Sequence, residues 1–346
     1  MTMKKLILKT PMAVLCGILA AGSIGAADIT HDAEYGILQA QNGEQWALDD
    51  RAVEARLAEI RAANDGKRPN IVYILLDDIG YGEIGTPDLT PSRGYSTPNI
   101  DALSRQGLTF YRMYTEPSCT PTRVAMMTGR YPIRTGTTEA KATLAGDGLN
   151  ADEVTIAEVL RDAGYYTSQV GKWHMGDIEQ AYASNQGFMH AEFPIHQQGQ
   201  LAIMSPEAVE ADVIRGSDPT TQLQTYTKDP TFVTNPSHMV TGVEMRDGKL
   251  YEVDLKPGEI WTQQKYREMN ERYQRNAVDQ LQKLAAQEKP FFLNYWPLFP
   301  LNFVPSDIEE AQTLNGGTIA ETIVEVDQWV GEIVTEIDRL GIADNT

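Results

Sequence analysis

Apolar positions in this chain form short unbroken runs separated by stretches with helical spacing. Asn70–Leu76 (NIVYILL) has no polar alternation, the pattern of a strand covered on both faces. Leu108–Tyr114, Tyr165–Val170 and Phe291–Tyr295 read as further strands. Helical signals fall between them. Thr97 followed by Pro98 predicts a helix start and Gly107 its exit, and Pro121–Thr128 is a helix closed by Gly129. Thr155 with Glu158 forms a capping box, with Gly164 as the stop. Longer helices are expected over 262–287 and 317–340. The alternation predicts an α/β fold, a doubly wound, mostly parallel sheet with helices on both faces.

The ends and the middle depart from that rhythm. Trp46, Leu48, Val53, Leu57 and Ile60 predict an amphipathic helix within 44–64, outside the main domain. Residues 180–260 are polar, rich in turn residues and weakly periodic, and read as an irregular insertion of loops and short strands. Lys4, Lys5 and Lys9, the apolar run from Met12 to Ala21, and Gly25-Ala26-Ala27 form a cleavable signal peptide over 1–27, too short for a comfortable membrane span. The expected organisation is therefore that leader, a helical extension over 28–66, and a catalytic domain from 67 to 346. Export to the periplasm or exterior follows, with no stable membrane anchor.

Composition narrows the chemistry. A hydrophobic share of 42% supports a real core, and 29 basic against 48 acidic residues give a net charge of −19. That field disfavours nucleic acid and acidic membrane surfaces. An anionic substrate would need a local cluster of positive charge. Cys16 lies inside the leader, so the exported chain keeps Cys119 as its single thiol.

Cys119 opens the most informative segment, Cys119-Thr120-Pro121-Thr122-Arg123. Given the cysteine, proline at +2 and arginine at +4 coincide by chance roughly once in a few hundred, from ordinary residue usage. The competing reading is a buried structural thiol. If Pro121 starts a helix, Cys119 lies where free N–H groups and the dipole favour anions, and Arg123 can turn its fork to the same place. Asp77 and Asp78 follow the first buried strand, at the strand ends where open α/β sheets place ligands. Adjacent carboxylates there fit a solvated acidic turn or an oxygen-liganded Ca²⁺ or Mg²⁺, the latter preferred with Cys119 downstream. In an extended loop Lys172 and His174 would point to one side, a fixed charge beside a proton carrier, with Trp173 anchored in the core.

Four blocks in order resemble the type I sulfatases: PNIVYILLDDIGYGEIG (69–85), TPNIDALSRQG (97–107), CTPTR (119–123) and GKWH (171–174). The resemblance covers about residues 67 to 346, poorly in the middle, and implies the alkaline phosphatase-like fold. It also implies that a maturation enzyme oxidises Cys119 to formylglycine (3-oxoalanine). The hydrated gem-diol would then attack the sulfur of a small-molecule or glycan sulfate ester. Asp77, Asp78 and residue 119 would hold Ca²⁺, or Mg²⁺, with Arg123 stabilising the nucleophile's oxygen. Lys172 would hold the sulfate, and His174 would take a proton as sulfate leaves.

Two departures qualify this. Family members often carry a His where Pro297-Leu298-Phe299-Pro300 has Leu298, leaving His190, His196 and His238 as weak substitutes. The family's second metal pair and a further active-site Lys lie beyond an Asp-Asn-Thr like Asp344-Asn345-Thr346. The sequence therefore reads as lacking its C-terminal part, with half a metal site and inactive alone. Rival readings are a phosphonate or phosphate ester hydrolase of the same superfamily, a non-catalytic binding protein on this fold, and a cysteine-thiol hydrolase.

Overall fold

A computed structural model describes residues 33–85, 90–141, 146–194, 242–246, 249–252, 263–298 and 317–346. The leader (1–27), Cys16, His196 and His238 lie outside the described residues. The chain divides into two units, one ending at Ala63 and the other running from Asn64 to Thr346. The described part of the first is helix α1 (Ala33–Ala63), with no buried residue. Trp46, Val53, Leu57 and Ile60 share one side of it at 100° per residue. Ile37 and Leu48 fall opposite, so the apolar positions make no single face over its length. No helix among the described residues is long and apolar enough to cross a membrane.

The second unit is built on a six-stranded sheet. Its strands are β1 (Ile71–Ile74), β2 (Tyr166–Gly171), β3 (His190–Pro194), β4 (Gly242–Arg246), β5 (Lys249–Glu252) and β6 (Phe291–Trp296). Their order is β1-β6-β2-β3-β4-β5. β1, β6, β2 and β3 are parallel, whereas β4 and β5 add an antiparallel hairpin. The helices are α2 (Pro98–Gln106), α3 (Cys119–Thr128), α4 (Pro132–Thr135), α5 (Ile156–Asp162), α6 (Gln263–Ala285) and α7 (Gly317–Arg339).

Strand alternation sends successive side chains to two cores. Val72, Ile74, Val170, Leu293 and Tyr295 pack with Tyr273, Ala277 and Leu281 of α6 and Val326, Trp329 and Ile333 of α7. Ile71, Tyr73, Phe292 and Trp296 face the other way, onto Val124 and Met127 of α3 and Ala157 of α5. The sheet is thus mostly parallel and covered on both faces, as its unbroken apolar strands required. The Thr155–Glu158 capping box forms as expected. Ion pairs join the layers: buried Arg267 of α6 to buried Glu325 of α7 at 2.8 Å, and half-buried Arg272 of α6 to buried Glu192 of β3.

Two expectations change. β1 lies at a sheet edge with all four residues half-buried, so it is not fully covered. Leu108–Tyr114 forms no strand; Leu108, Phe110, Met113 and Tyr114 are exposed, because no neighbouring strand among the described residues supplies a ladder. Within 180–260, where loops and short strands are expected, β3 joins the central sheet and β4 and β5 extend it as a hairpin.

Thr97 and Pro98 do start α2, but the Thr97 side chain makes no cap hydrogen bond to the helix backbone. Asp327 of α7 caps it from across the fold, accepting from the backbone N–H groups of Asn99 (3.2 Å) and Ile100 (2.9 Å) and from Asn99 Nδ2 (2.8 Å). Asp327→Ala is expected to cost about 1–3 kcal/mol, since it strips both orphan donors at a buried junction. Urea unfolding of the variant measures this, and an unchanged midpoint would contradict the cap.

Candidate active site

The parallel strands end together at one rim, and Asp77, Lys172 and the start of α3 meet there. The helix begins at Cys119 itself, with Ser118 as N-cap and Pro121 inside the first turn. Arg123 is one turn on and 1% exposed. Its Nη2 donates to Asp77 Oδ1 at 3.1 Å and its Nη1 to the Lys172 carbonyl at 3.1 Å, while its guanidinium lies 4.6 Å from the centre of the Trp296 ring. Lys172 Nζ donates to the other Asp77 oxygen. One carboxylate therefore holds two fully buried cations.

Burial opposes the charged form of Asp77, but the Lys172 and Arg123 charges outweigh it and hold the carboxyl below its usual range. Asp78 behaves oppositely. It has left-handed backbone (φ 55°), is exposed, and has no hydrogen-bond or ion-pair partner among the described residues. Partial desolvation, then the Asp77 charge, raises its carboxyl.

Lys172 and His174 do not lie in an extended loop as expected. His174 has φ 56°, and Lys172, Trp173 and His174 are all buried. Trp173 anchors the turn, stacking on Trp296 and donating to the Ala181 carbonyl at 2.7 Å. Gly171 makes the turn possible: its φ is +96°, and a Cβ there would run into the Trp296 carbonyl. The His174 carbonyl accepts from Thr120 Oγ1 (2.9 Å), beside Cys119, and Thr120 Oγ1 in turn accepts from the Lys141 N–H (3.0 Å).

His174 Nε2 lies 2.9 Å from the Lys141 carbonyl, which can only accept. The proton is thereby assigned to Nε2, leaving Nδ1 as a buried bare acceptor with no partner among the described residues. Burial and then the Lys172 charge push the imidazole down to about 3. The unfolded chain binds this proton near pH 6.5 and the folded chain only near 3, so stability falls as pH drops through that window. The expected loss is on the order of a few kcal/mol. Urea titrations at about pH 6 and pH 4 on wild type and His174→Asn test it, and equal slopes in both proteins would contradict a buried neutral imidazole.

A cleft of about 210 Å³ is lined by Asp77, Asp78, Ser118, Cys119, Thr122 and Arg123 among others. Cys119 is half-buried, and its Sγ lies 4.0 Å from Ser118 Oγ. Lys172 and His174 are not in the cleft wall; Lys172 joins it through Asp77, and His174 through Thr120. Arg123 Nε is a buried donor without a partner among the described residues. Leu298 is fully buried in the core beside α6 and α7, so that position presents no proton donor to the rim. His190 opens β3 at the strands' N-terminal ends, away from the rim. Sequence reasoning missed Thr120 and Trp296, whose only signals were adjacency to Cys119 and to Pro297.

The carboxylates at 77 and 78 fit part of a hard-cation site. Their donors are oxygens, and Asp78 is a negative group with no paired cation. Among the described residues no three His, Cys, Asp or Glu side chains cluster as a complete metal set.

Comparison with known proteins agrees with this architecture. The Sulfatase family model matches residues 69–346. N-acetylgalactosamine-6-sulfatase of Mus musculus is 31% identical over 298 residues, covering 82% of this chain and 50% of the relative. Human arylsulfatase A is 33% identical over 293 residues, covering 80% and 50%. The crystal structure of PsFucS1 sulfatase from Pseudoalteromonas sp. superposes with a TM-score of 0.70 at 26% identity, over 86% of this chain and 57% of that one. The chain spans about half the length of the curated relatives it matches. With the parallel sheet and the cleft at its rim, this match makes the chain a member of the sulfatase family.

Proposed function

We propose that the protein hydrolyses sulfate esters, with residue 119 as nucleophile, after export by the leader at 1–27 and oxidation of Cys119 by a maturation enzyme. The observation that carries this is the convergence, in one cleft, of Cys119 at a helix N-terminus with Asp77 and Arg123, whose ion cluster is completed behind the wall by Lys172. An aldehyde-derived nucleophile at 119 supplies two hydroxyls, one to attack sulfur and one to let sulfate leave, which a plain thiol lacks. Asp77, Asp78 and residue 119 would hold Ca²⁺ or Mg²⁺, which supplies positive charge for the nucleophile's oxygen.

The remaining roles belong to the chain itself. Arg123 is fixed by Asp77, by the Lys172 carbonyl and by the Trp296 face, so its unpaired Nε–H is preorganised to donate to a sulfate oxygen. Lys172 keeps Asp77 ionised and oriented. His174 stays neutral at physiological pH and offers Nδ1 to accept a proton, not to donate one. The substrate class is a small aryl sulfate or a sulfated glycan, supported by the names of relatives such as arylsulfatase A and N-acetylgalactosamine-6-sulfatase.

Two measurements on the full-length protein test the reading. Peptide mass spectrometry of material from its native host is expected to show the Cys119 thiol sulfur and two hydrogens replaced by one oxygen. Hydrolysis of an aryl sulfate is expected to exceed that of the matching aryl phosphate ester. An intact thiol, or the reverse preference, would overturn it; the latter favours the phosphate or phosphonate ester hydrolase.

A further inference from the structure

Behind the cleft the apolar sheet carries a polar pair with no role so far. Gln169 of β2 and Asn294 of β6 are directly paired in register and both are fully buried. By strand alternation they face α3, flanked by Tyr73 of β1, the register partner of Asn294. Asn294 Nδ2 donates to Gln169 Oε1. That bond fixes the Gln169 amide so that Nε2 points along its own strand, 3.4 Å from each of the Gly171 and Lys172 carbonyls. The Lys172 carbonyl is the same atom that receives Arg123 Nη1.

This arrangement is costly as plain packing. Asn294 Oδ1 has no partner among the described residues, and buried polar atoms without one destabilise, whereas two aliphatic side chains of similar shape would leave no orphan. Violations of core packing rules concentrate where a site is being held. The carbonyl they hold sits at the glycine-dependent turn, between the Lys172 N–H bond to the Trp296 carbonyl (2.6 Å) and the Trp173 anchor, and it is the atom that also accepts from Arg123.

We propose that Gln169 is a positioning residue. It fixes the Lys172 carbonyl, and through it the Arg123 guanidinium at the cleft, while Asn294 sets the orientation of the Gln169 amide. The inference rests on the sulfatase reading for its kinetic readout alone.

The test compares full-length wild type with Gln169→Leu, Gln169→Met, Asn294→Leu and the Gln169→Leu/Asn294→Leu double variant. Expected for Gln169→Leu is a kcat on an aryl sulfate roughly 10- to 100-fold lower, the scale of a small misplacement at a catalytic group. KM should stay within about twofold and Tm should be unchanged or higher, a split that mere structural damage would not produce. The double variant should be no worse than Gln169→Leu, because Asn294 acts through it. Should Gln169→Leu not fold, the near-isosteric Gln169→Met carries the same expectations. A crystal structure of the variant should show the Arg123 guanidinium displaced. An unchanged kcat, a kcat loss that tracks a fall in Tm, additive effects in the double variant, or Arg123 unmoved would each overturn the proposal. If wild type shows no sulfatase activity, the functional reading fails and the Arg123 position decides this one independently.

Discussion

Asp77→Asn is expected to lower stability by roughly 3–5 kcal/mol, because it leaves two buried cations facing a neutral amide. Lys172 is 0% and Arg123 1% exposed, so neither ammonium nor guanidinium can recover water without opening the rim. In a domain of this size that loss is about 10 °C in Tm and a large share of the total stability. Removing one cation as well should relieve part of it: Asp77→Asn/Lys172→Met is expected to be more stable than Asp77→Asn alone. Thermal unfolding of the three proteins decides the matter, and a Tm shift for Asp77→Asn of less than about 2 °C would mean that the cations are hydrated.

Acid should imitate that substitution. The Asp77 carboxyl is held below its ordinary value, so its contribution is present above the unfolded value of 3.8 and is lost as pH falls through the lower folded one. His174 acts in an adjoining window, from 6.5 down to about 3. Stability is therefore expected to decline first through the imidazole and then through the carboxylate. A midpoint independent of pH below about 6 would contradict both assignments.

Cys119→Ser is expected to abolish sulfate ester turnover, by roughly 10³-fold or more, the scale seen when a nucleophile is removed. On the proposed mechanism, a serine at 119 would keep one hydroxyl, which could attack sulfur but would leave no second one to release the sulfate. The variant should therefore trap sulfate covalently after one turnover, visible as a mass increase on the peptide carrying residue 119. Its stability should change little, because Cys119 is half-buried and packs only loosely against Ser118. Full activity of Cys119→Ser would remove residue 119 from the mechanism. Inhibition of wild type by a thiol alkylating agent would instead revive the cysteine-thiol hydrolase.

Much of the scaffold is visible in local pattern. NIVYILL, the Thr155–Glu158 box and the Gly129 stop specify their elements through burial period and capping chemistry, which act within a few residues. Leu108–Tyr114 shows where local pattern fails: its apolar run has strand character, but a strand exists only when a neighbour completes its ladder. β3 is a short strand in a segment expected to hold such strands, but its place beside β2 in the central sheet is set by tertiary pairing.

The sequence by itself determined the kinds of groups at the rim, since the four blocks place two acids, a thiol, an arginine, a lysine and a histidine at strand and helix ends. Tertiary structure alone decided how they pair. Asp77 bridges Lys172 and Arg123 across 95 and 46 residues of chain, Asp327 caps a helix 228 residues away, and Gln169 meets Asn294 across 125. Those partnerships follow from strand order and from the exclusion of water between elements, which convert weak, long-separated charges and amides into fixed contacts. No periodicity or motif spacing along the chain encodes that exclusion.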